Sequence, residues 1–474
     1  MQAMNGSGRV GARLLGCVLA MVALAAMALP SMASARAPKA PKVKETYVGL
    51  GDSLAFGYSQ QLFNENEKNY ENPAAFEHGY VNDYLNIVNV GKKGKVQLVN
   101  DGCPGETTES LIGDNPALLA TINGALSGSI PEPVTGEAPC AYHYADHLPL
   151  HHEYGGEKSQ LESVIATLGE EAAAGKPVKA ITLDIGANDQ LHFVAKVEKE
   201  VEAKIEERVR ALAEAEATGQ VASKVKAAAE KEVEEYVVEQ VIPQAYGETG
   251  GEEPAFREHI ASDAAAYAAE HHAELSSKTF EEESIYQAEH GAELVAEGEK
   301  LGAEDAGKYV AEHGAELKAE GERKADELIA ADAPELDEQI ITNVTGIITA
   351  VKYAKDLGLG SVDFKGKFIF EGTYNAYGND YGTGELLPGS NALVAALYSA
   401  EKTDFSKKPL KACTVDPQLL FNPGTEPEET EHMEEWTNMA NFTTFEGKAN
   451  GPDIHATPLG YEVMAKQIHS TCAF

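Results

Sequence analysis

Short apolar runs alternate with longer amphipathic stretches on both sides of the middle of the chain. Runs of strand length occur at residues 46–50, 96–99, 180–185 and 368–370. Apolar residues at helical spacing predict helices at residues 80–90, 160–174, 340–357 and 461–469. Strands that alternate with helices are typical of a parallel sheet covered on both faces. The pattern therefore predicts the α/β class, with three layers in the order α/β/α.

The alternation stops after Gln190, where the chain becomes rich in Ala, Glu and Lys. We interpret residues 191–336 as an α-helical insertion between two parts of one α/β domain, residues 45–190 and 337–474. Because the insertion follows the third strand, its ends are expected at the carboxyl edge of the sheet. It would serve there as a lid, or as an arm for oligomerisation or for attachment to the cell envelope.

Two patterns predict how the insertion folds. Helical spacing over residues 194–241 is interrupted at residues 218–219, which predicts a helix–turn–helix hairpin. One phrase that begins with tyrosine then occurs at residues 267–275, 286–294 and 309–317. Because the copies are unequally spaced and two of them contain glycine, we expect short amphipathic helices instead of a regular solenoid.

The charge of the chain is strongly negative, with a net value of −38 at pH 7. Residues 191–340 contain 38 acidic and 15 basic residues, so this part carries −23 of that charge. A surface of this sign repels the phosphate backbone, and nucleic acid is therefore not an expected partner.

The N-terminus resembles an export signal. Arg9 and Arg13 precede an apolar run at residues 14–29, and the small residues that follow end at Ala35. We expect residues 1–35 to be a signal peptide, cleaved near Ala35, with no stable membrane span in the mature protein. The mature chain would then be secreted or extracytoplasmic, and an uncleaved membrane anchor is the alternative.

The cysteines support an exported protein. Loss of Cys17 with the signal leaves an even number: Cys103, Cys140, Cys413 and Cys472. We expect two disulfides, and of the three connectivities the sequence order favours Cys103 with Cys140 and Cys413 with Cys472. Their spacing does not fit a zinc site.

The first strand leads directly into Gly51-Asp52-Ser53. A serine between a strand and the first turn of a helix presents its hydroxyl at the open edge of the sheet, near backbone N–H groups that can stabilise a developing anion. A serine that caps a helix would give the same local pattern, so this block alone leaves the two interpretations equal.

Three further blocks favour the catalytic interpretation. Gly105 follows the second strand, Asn188-Asp189 follows the third, and Asp453 and His455 lie near the C-terminus. With the Gly-Asp-Ser-Leu block, their order resembles that of the SGNH/GDSL hydrolase family, the secreted bacterial lipase and esterase type. The resemblance covers residues 45–189 and 337–474 and leaves the insertion outside.

The resemblance implies a role for each matched residue. Ser53 would be the nucleophile and His455 its general base. The oxyanion hole would consist of the N–H groups of Ser53 and Gly105 and the side-chain amide of Asn188. Asp52 and Asp189 would support these blocks. Residues 372–377, after the fourth strand, lie where members of the family form a pocket wall.

The last block departs from the family pattern. The family has Asp-x-x-His-Pro, whereas here Asp453 lies two positions before His455 and Ala456 follows it. Asp453 would orient the imidazole after a small adjustment of the loop. The alternative is a backbone carbonyl near Gly451 or Pro452, which would leave a Ser–His dyad.

The sequence thus predicts a secreted serine ester hydrolase, a lipase or esterase, that acts through an acyl-Ser53 intermediate without a cofactor or a metal ion. The expected partner is a small-molecule or lipid ester, while the acyl chain, the alcohol and the oligomeric state stay open. One alternative is an acyltransferase on the same scaffold. The other is a non-catalytic envelope protein that acts through its acidic helical arm.

Overall fold

The structure is a computed structural model that describes residues 43–66, 73–91, 95–126, 158–236, 272–376, 390–424 and 428–474. The expected signal peptide, residues 1–35, and Cys140 lie outside the described residues. Among the helices described, none has the length and apolar character that crossing a membrane would require.

Five parallel strands form the central sheet, in the order β2-β1-β3-β4-β5. They are β1 (Glu45–Gly51), β2 (Val96–Asn100), β3 (Val178–Asp184), β4 (Lys367–Glu371) and β5 (Cys413–Val415). Gly51 pairs with Asp184, and Asp184 pairs with Glu371, so the carboxyl ends of β1, β3 and β4 are level. The four predicted strands are confirmed. Strand β5, which has only three residues, was not predicted.

Helices cover both faces of this sheet. They are α1 (Ser53–Phe56), α2 (Gln60–Asn66), α3 (Tyr80–Asn89), α4 (Thr108–Ile112), α5 (Pro116–Ala125), α6 (Gln160–Ala173), α7 (Ala187–Tyr236), α8 (His272–Lys352), α9 (Ser390–Phe405), α10 (Gln418–Phe421), α11 (Glu428–Trp436) and α12 (Pro458–Cys472), with a 3₁₀ helix at Pro73–Phe76. Val48 and Phe370 face a core that includes α4, α5, α6, α9 and the end of α8. Tyr47 and Ile369 face the opposite core, which includes α3 and α12. The three-layer α/β/α fold is therefore confirmed.

Two short antiparallel pairs and one disulfide complete the C-terminal part. Strand β6 (Thr437–Asn438) pairs with β9 (Asp453–Ala456), and β7 (Thr444–Phe445) pairs with β8 (Lys448–Ala449). Cys413 and Cys472 form a disulfide, the pair that the sequence order favoured. It joins β5 to the end of α12. The other favoured pair includes Cys140, and it stays a prediction.

The chain does not turn at residues 218–219, where we expected the turn of a helical hairpin. Both residues lie inside α7, which is continuous from Ala187 to Tyr236. The Thr218 hydroxyl donates to the Glu214 carbonyl within the helix. A glycine in an exposed helix costs only about 1 kcal/mol relative to alanine, a cost that packing of the helix on a neighbour can outweigh. The prediction of a turn was therefore wrong.

The two repeats that lie wholly within the described residues likewise do not form separate short helices. The copies at residues 286–294 and 309–317 are both inside α8, while the copy at 267–275 lies mostly outside the described residues. Val197 and Val201 of α7 pack against Ala325 and Ile329 of α8, so the two long helices share a hydrophobic cluster. Helix α8 also continues through the residues where we expected a new helix at 340. The division of the chain into a domain and an insertion stays a prediction.

Candidate active site

Ser53 is the first residue of α1, immediately after β1. The side chain of Asp52 caps this helix by accepting a hydrogen bond from the Leu54 N–H at 2.9 Å. Gly51 has a φ of 134°, and a Cβ at this position would lie 2.2 Å from the Asp184 carbonyl oxygen. Only glycine therefore allows β1 and β3 to approach this closely while the chain turns into α1. The turn brings Ser53 to the edge of the sheet.

His455 and Asp453 belong to β9, which lies beside Ser53. The His455 Nε2 lies 2.8 Å from Ser53 Oγ, and its Nδ1 lies 2.5 Å from Asp453 Oδ1. Alternate residues of a strand point to the same side, so a spacing of two positions brings both side chains to one face of β9. This explains the departure from the family spacing. In this structure the carboxylate of Asp453 faces the imidazole.

The environment of Asp453 favours its ionised form. Its Oδ2 accepts the Gln60 N–H at 2.8 Å, and its Oδ1 accepts the His455 N–H at 3.2 Å. Burial alone would raise the pKa of Asp453, but the charge of His455 and these hydrogen bonds hold it below its usual value. The ring of Tyr58 packs edge-on against the imidazole, with 4.7 Å between the ring centres. Asp453 and Tyr58 therefore both restrict the orientation of His455.

The block around Gly105 and the block around Asn188 lie next to each other at the carboxyl edge of the sheet. Asn188, the second residue of α7, donates from Nδ2 to the Glu106 carbonyl at 2.8 Å, and the same nitrogen lies 3.4 Å from Asp52 Oδ2. Gly105 immediately precedes Glu106 and has a φ of 81°, a conformation that favours glycine. The blocks that contain Asp52, Gly105 and Asn188 are thus adjacent, and their oxyanion role stays a prediction.

Asp189 links three elements behind this edge. Its carboxylate accepts the Thr108 N–H at 2.9 Å and the Thr108 hydroxyl at 2.5 Å. The Thr108 hydroxyl in turn accepts a hydrogen bond from Asn343 of α8 at 2.9 Å. Asp189 is buried, so these contacts attach the start of α7 to α4 and α8.

Gln160, which was not among the predicted site residues, contacts Gly51 in the block that contains the nucleophile. Its Oε1 accepts the Gly51 N–H at 3.0 Å, while its Nε2 donates to the Gly51 carbonyl at 2.7 Å and to Glu106 Oε2 at 2.6 Å. It is the first residue of α6, behind the Ser159 cap. A glutamine at the start of a helix has no local pattern that indicates this contact, so only the tertiary structure reveals it.

A mainly apolar pocket of about 290 Å³ opens beside Ser53 and His455. Its walls come from the first turns of α7, the segment after β4, α9 and β9. Tyr374, which belongs to the expected pocket wall, lines this pocket and donates its hydroxyl to the Ile454 carbonyl at 2.8 Å. The expected pocket wall at residues 372–377 thus contributes Thr373 to Ala376, and Tyr377 lies outside the described residues.

Besides Asp453, six carboxyl groups of the described residues are buried around the site: Asp52, Asp101, Glu106, Asp184, Asp189 and Glu371. Burial raises the pKa of Asp101 from 3.8 to about 7, that of Glu106 from 4.5 to about 7, and that of Asp189 from 3.8 to about 7. Burial also raises the pKa of the other three, most strongly for Asp184 and Glu371.

The raised pKa values of these carboxyls predict that the protein is more stable at mildly acidic pH than at mildly alkaline pH. A carboxyl whose pKa is higher in the folded chain keeps its proton there while the unfolded chain loses it, so stability falls as pH rises from about 4 to 7. With three carboxyls whose pKa values are raised by about 3, the free energy of unfolding should change by several kcal/mol over this pH range. Asp453, whose pKa is lowered, opposes this trend. Chemical denaturation should therefore give a higher free energy of unfolding at pH 5 than at pH 8.

The variant Asp101→Asn is the control for this pH effect. An amide of the same size cannot titrate, so the difference in unfolding free energy between pH 5 and pH 8 should become smaller. Stability that increases with pH in the wild-type protein would contradict the prediction.

The described residues do not group their His, Cys, Asp and Glu side chains into a metal site. In that part of the chain, no group of three or more His, Cys, Asp or Glu side chains is arranged to hold a metal ion. On α8, His290 lies 3.2 Å from Glu293 at the protein surface, and His313 lies 3.1 Å from Glu316. The repeat thus produces the same exposed His–Glu pair twice.

A parallel α/β/α sheet with Ser, His and Asp hydrogen-bonded in series at its carboxyl edge is an arrangement of serine hydrolases. The model of the family described as GDSL-like Lipase/Acylhydrolase matches residues 47–280, and the chain belongs to this family. The matched range includes Ser53, Gly105 and Asn188 and ends before Asp453 and His455. No curated protein and no solved structure gives a match.

Proposed function

We propose that the protein is a secreted serine ester hydrolase that cleaves carboxylic esters through an acyl-Ser53 intermediate. The hydrogen-bond series from Asp453 through His455 to Ser53 carries this proposal, because it provides a nucleophile, a base and a group that orients the base. Membership of the acylhydrolase family and the pocket beside Ser53 support it.

The proposed reaction has two stages. His455 Nε2 takes the proton of Ser53 Oγ as this oxygen bonds to the ester carbonyl carbon, and the resulting oxyanion faces the N–H groups of Ser53 and Gly105 and the amide of Asn188. His455 then protonates the alcohol oxygen as the C–O bond breaks. In the second stage, His455 activates a water molecule that releases the acid and restores Ser53.

The protonation states fit this sequence. Asp453 stays ionised while Nδ1 of His455 donates to it, so Nε2 is free of a proton in the resting enzyme and can accept one from Ser53. The ionised carboxylate also stabilises the imidazolium that forms in each stage. Asp453 itself neither gains nor loses a proton in either stage.

An extracytoplasmic location is part of the proposal. The apolar run behind Arg9 and Arg13 supports export, and the disulfide between Cys413 and Cys472 is typical of oxidising compartments.

Labelling with a fluorophosphonate probe tests the proposed function, because this probe reacts with an activated serine whatever the substrate. We expect the mature protein to be labelled, with the modified residue identified by peptide mass spectrometry as Ser53. Ser470, whose hydroxyl donates to the Gln467 carbonyl on the exposed surface of α12, provides a control. Ser470→Ala should be labelled like the wild type.

The same protein should hydrolyse at least one member of a panel of 4-nitrophenyl esters. The absence of both labelling and hydrolysis would overturn the proposal and favour a non-catalytic protein. Labelling with acyl transfer to an added alcohol, and little release of free acid, would favour an acyltransferase.

A further inference from the structure

The pocket beside Ser53 has one wall formed by the first turns of α7. Leu191, Val194, Ala195 and Glu198 line it. These residues occupy positions i, i+3, i+4 and i+7, so they form one stripe on the helix. The stripe starts one turn after Asn188. The long helix α7 therefore belongs to the site and does not only project from it.

The opposite wall comes from the second half of the α/β domain. Tyr374 and Ala376 follow β4, Val394 belongs to α9, and Ile454 lies next to His455 on β9. Ala376, Val394 and Ile454 have apolar side chains. Tyr374 directs its hydroxyl to a backbone carbonyl and leaves its ring at the pocket surface. The space between the two walls is thus suited to hydrocarbon.

The charges around the pocket argue against an anionic ligand. The lining residues include the carboxyl groups of Asp52 and Glu198 and no Lys or Arg. Glu198 is exposed and lies ten residues after Asn188, which corresponds to about 15 Å along the helix. Because a charge is costly to remove from water, an acyl chain is not expected to bury this carboxylate. The apolar part therefore ends near Glu198.

The volume of the pocket limits the group that it can hold. It measures about 290 Å³. If each carbon or oxygen occupies roughly 30 Å³, the share of one water molecule in the liquid, the pocket accommodates about ten such atoms. A chain of this size is much shorter than those of common membrane lipids.

On the basis of the proposed function, we infer that this pocket binds the acyl chain of the substrate and that Leu191, Val194 and Ala195 of α7 set its length. The preferred substrates are then uncharged esters of medium-chain fatty acids, with about six to ten carbons. The start of the helical insertion acts as a specificity element for the reaction at Ser53.

A second groove offers a different location for a long acyl chain. It has a volume of about 620 Å³, lies between α7 and α8, and includes Val201, Ile205 and Leu317. Glu198 lines both this groove and the pocket. If an acyl chain passed Glu198 into the groove, long-chain esters would be preferred over medium-chain esters.

The test is a series of 4-nitrophenyl esters with acyl chains from 2 to 16 carbons, measured at one fixed detergent concentration. We expect kcat/KM to rise by up to about fourfold for each added methylene to about 8 carbons, the effect of burying one methylene, and to fall at least about tenfold by 14 carbons. A parallel series of alkyl acetates varies the alcohol with the acyl group held constant. It should show a much smaller dependence on length.

Ala195→Trp is the diagnostic variant. Ala195 is exposed on the pocket wall, so a larger side chain fills the pocket without entering the core. It should lower the ratio of octanoate to butyrate kcat/KM at least about tenfold. Ala203 is also exposed on α7 but does not line the pocket, so Ala203→Trp should keep the wild-type ratio.

Three results would overturn the inference while leaving the proposed function intact. They are activity that rises continuously to 16 carbons, a dependence on alcohol length instead of acyl length, and an unchanged ratio in Ala195→Trp. If the wild type hydrolysed no ester and bound no fluorophosphonate, the proposed function would fail together with the inference.

Discussion

Replacing Ser53 with alanine is expected to lower kcat/KM for ester hydrolysis by roughly 10⁶-fold. The variant loses the oxygen that would form the acyl intermediate, and His455 loses the hydroxyl that lies 2.8 Å from its Nε2. Any activity that persists would come from the oxyanion hole and from substrate binding, which act without the nucleophile. Steady-state kinetics with the best ester of the panel measure the effect.

The structure of the Ser53→Ala variant should be close to that of the wild type. The Ser53 side chain is small, and the Asp52 cap on the Leu54 N–H does not depend on its hydroxyl. Thermal unfolding and circular dichroism check this, and Ser470→Ala serves as the matched control with wild-type kinetics. If a folded Ser53→Ala variant kept more than about a tenth of the activity, another nucleophile would have to be sought.

Replacing Asp453 with asparagine is expected to lower kcat by roughly 10⁴-fold with little change in KM. The amide is the same size and can still accept the Gln60 N–H, which now lies 2.8 Å from Asp453 Oδ2. It carries no charge, however, and its NH₂ group favours the tautomer of His455 with the proton on Nε2. In that tautomer the imidazole cannot accept the proton of Ser53.

A carboxylate at the protein surface provides the control for this variant. Asp404→Asn is the control, because Asp404 forms a surface ion pair with Lys407 and should show wild-type kinetics. An Asp453→Asn variant within about tenfold of wild type would instead favour a Ser–His dyad, oriented by a backbone carbonyl near Gly451 or Pro452.

The site also limits how far helix α7 can move. Helix α7 begins at Ala187, so the residue expected to bind the oxyanion, Asn188, belongs to the same helix as the pocket wall at Leu191. Asp189 fixes this helix to Thr108 of α4. A role for α7 in the specificity of the reaction therefore needs no large movement, whereas a lid would have to bend or rotate a helix that is attached at its first turn.

Much of the fold was predictable because its signals are local. The four longer strands coincide with mainly apolar runs of five to seven residues, and a central strand that is buried on both faces requires such a run at any position in the chain. Ser53, Asn188 and Asp189 were identifiable because each follows a strand whose carboxyl end must lie at one edge of a parallel sheet. The class of the site thus came from the sequence alone.

Other features depended on distant contacts. Strand β5 is too short to give a pattern, and it is recognised only by its pairing with β4. Gln160 contacts Gly51 across the sheet, although nothing in its own helix indicates this. The turn expected at residues 218–219 is absent because α8 packs along α7 and stabilises a continuous helix, which local propensity cannot reveal.

The sequence by itself determined which chemical groups are present and on which side of the sheet they emerge, since these properties follow from residue type and from the period of each element. Only the tertiary structure decided that Asp453, at an unusual spacing, faces His455, because this requires β9 to be a strand rather than a loop. It also decided that α7 forms a wall beside Ser53, since the shape of a pocket depends on segments that are far apart in the chain.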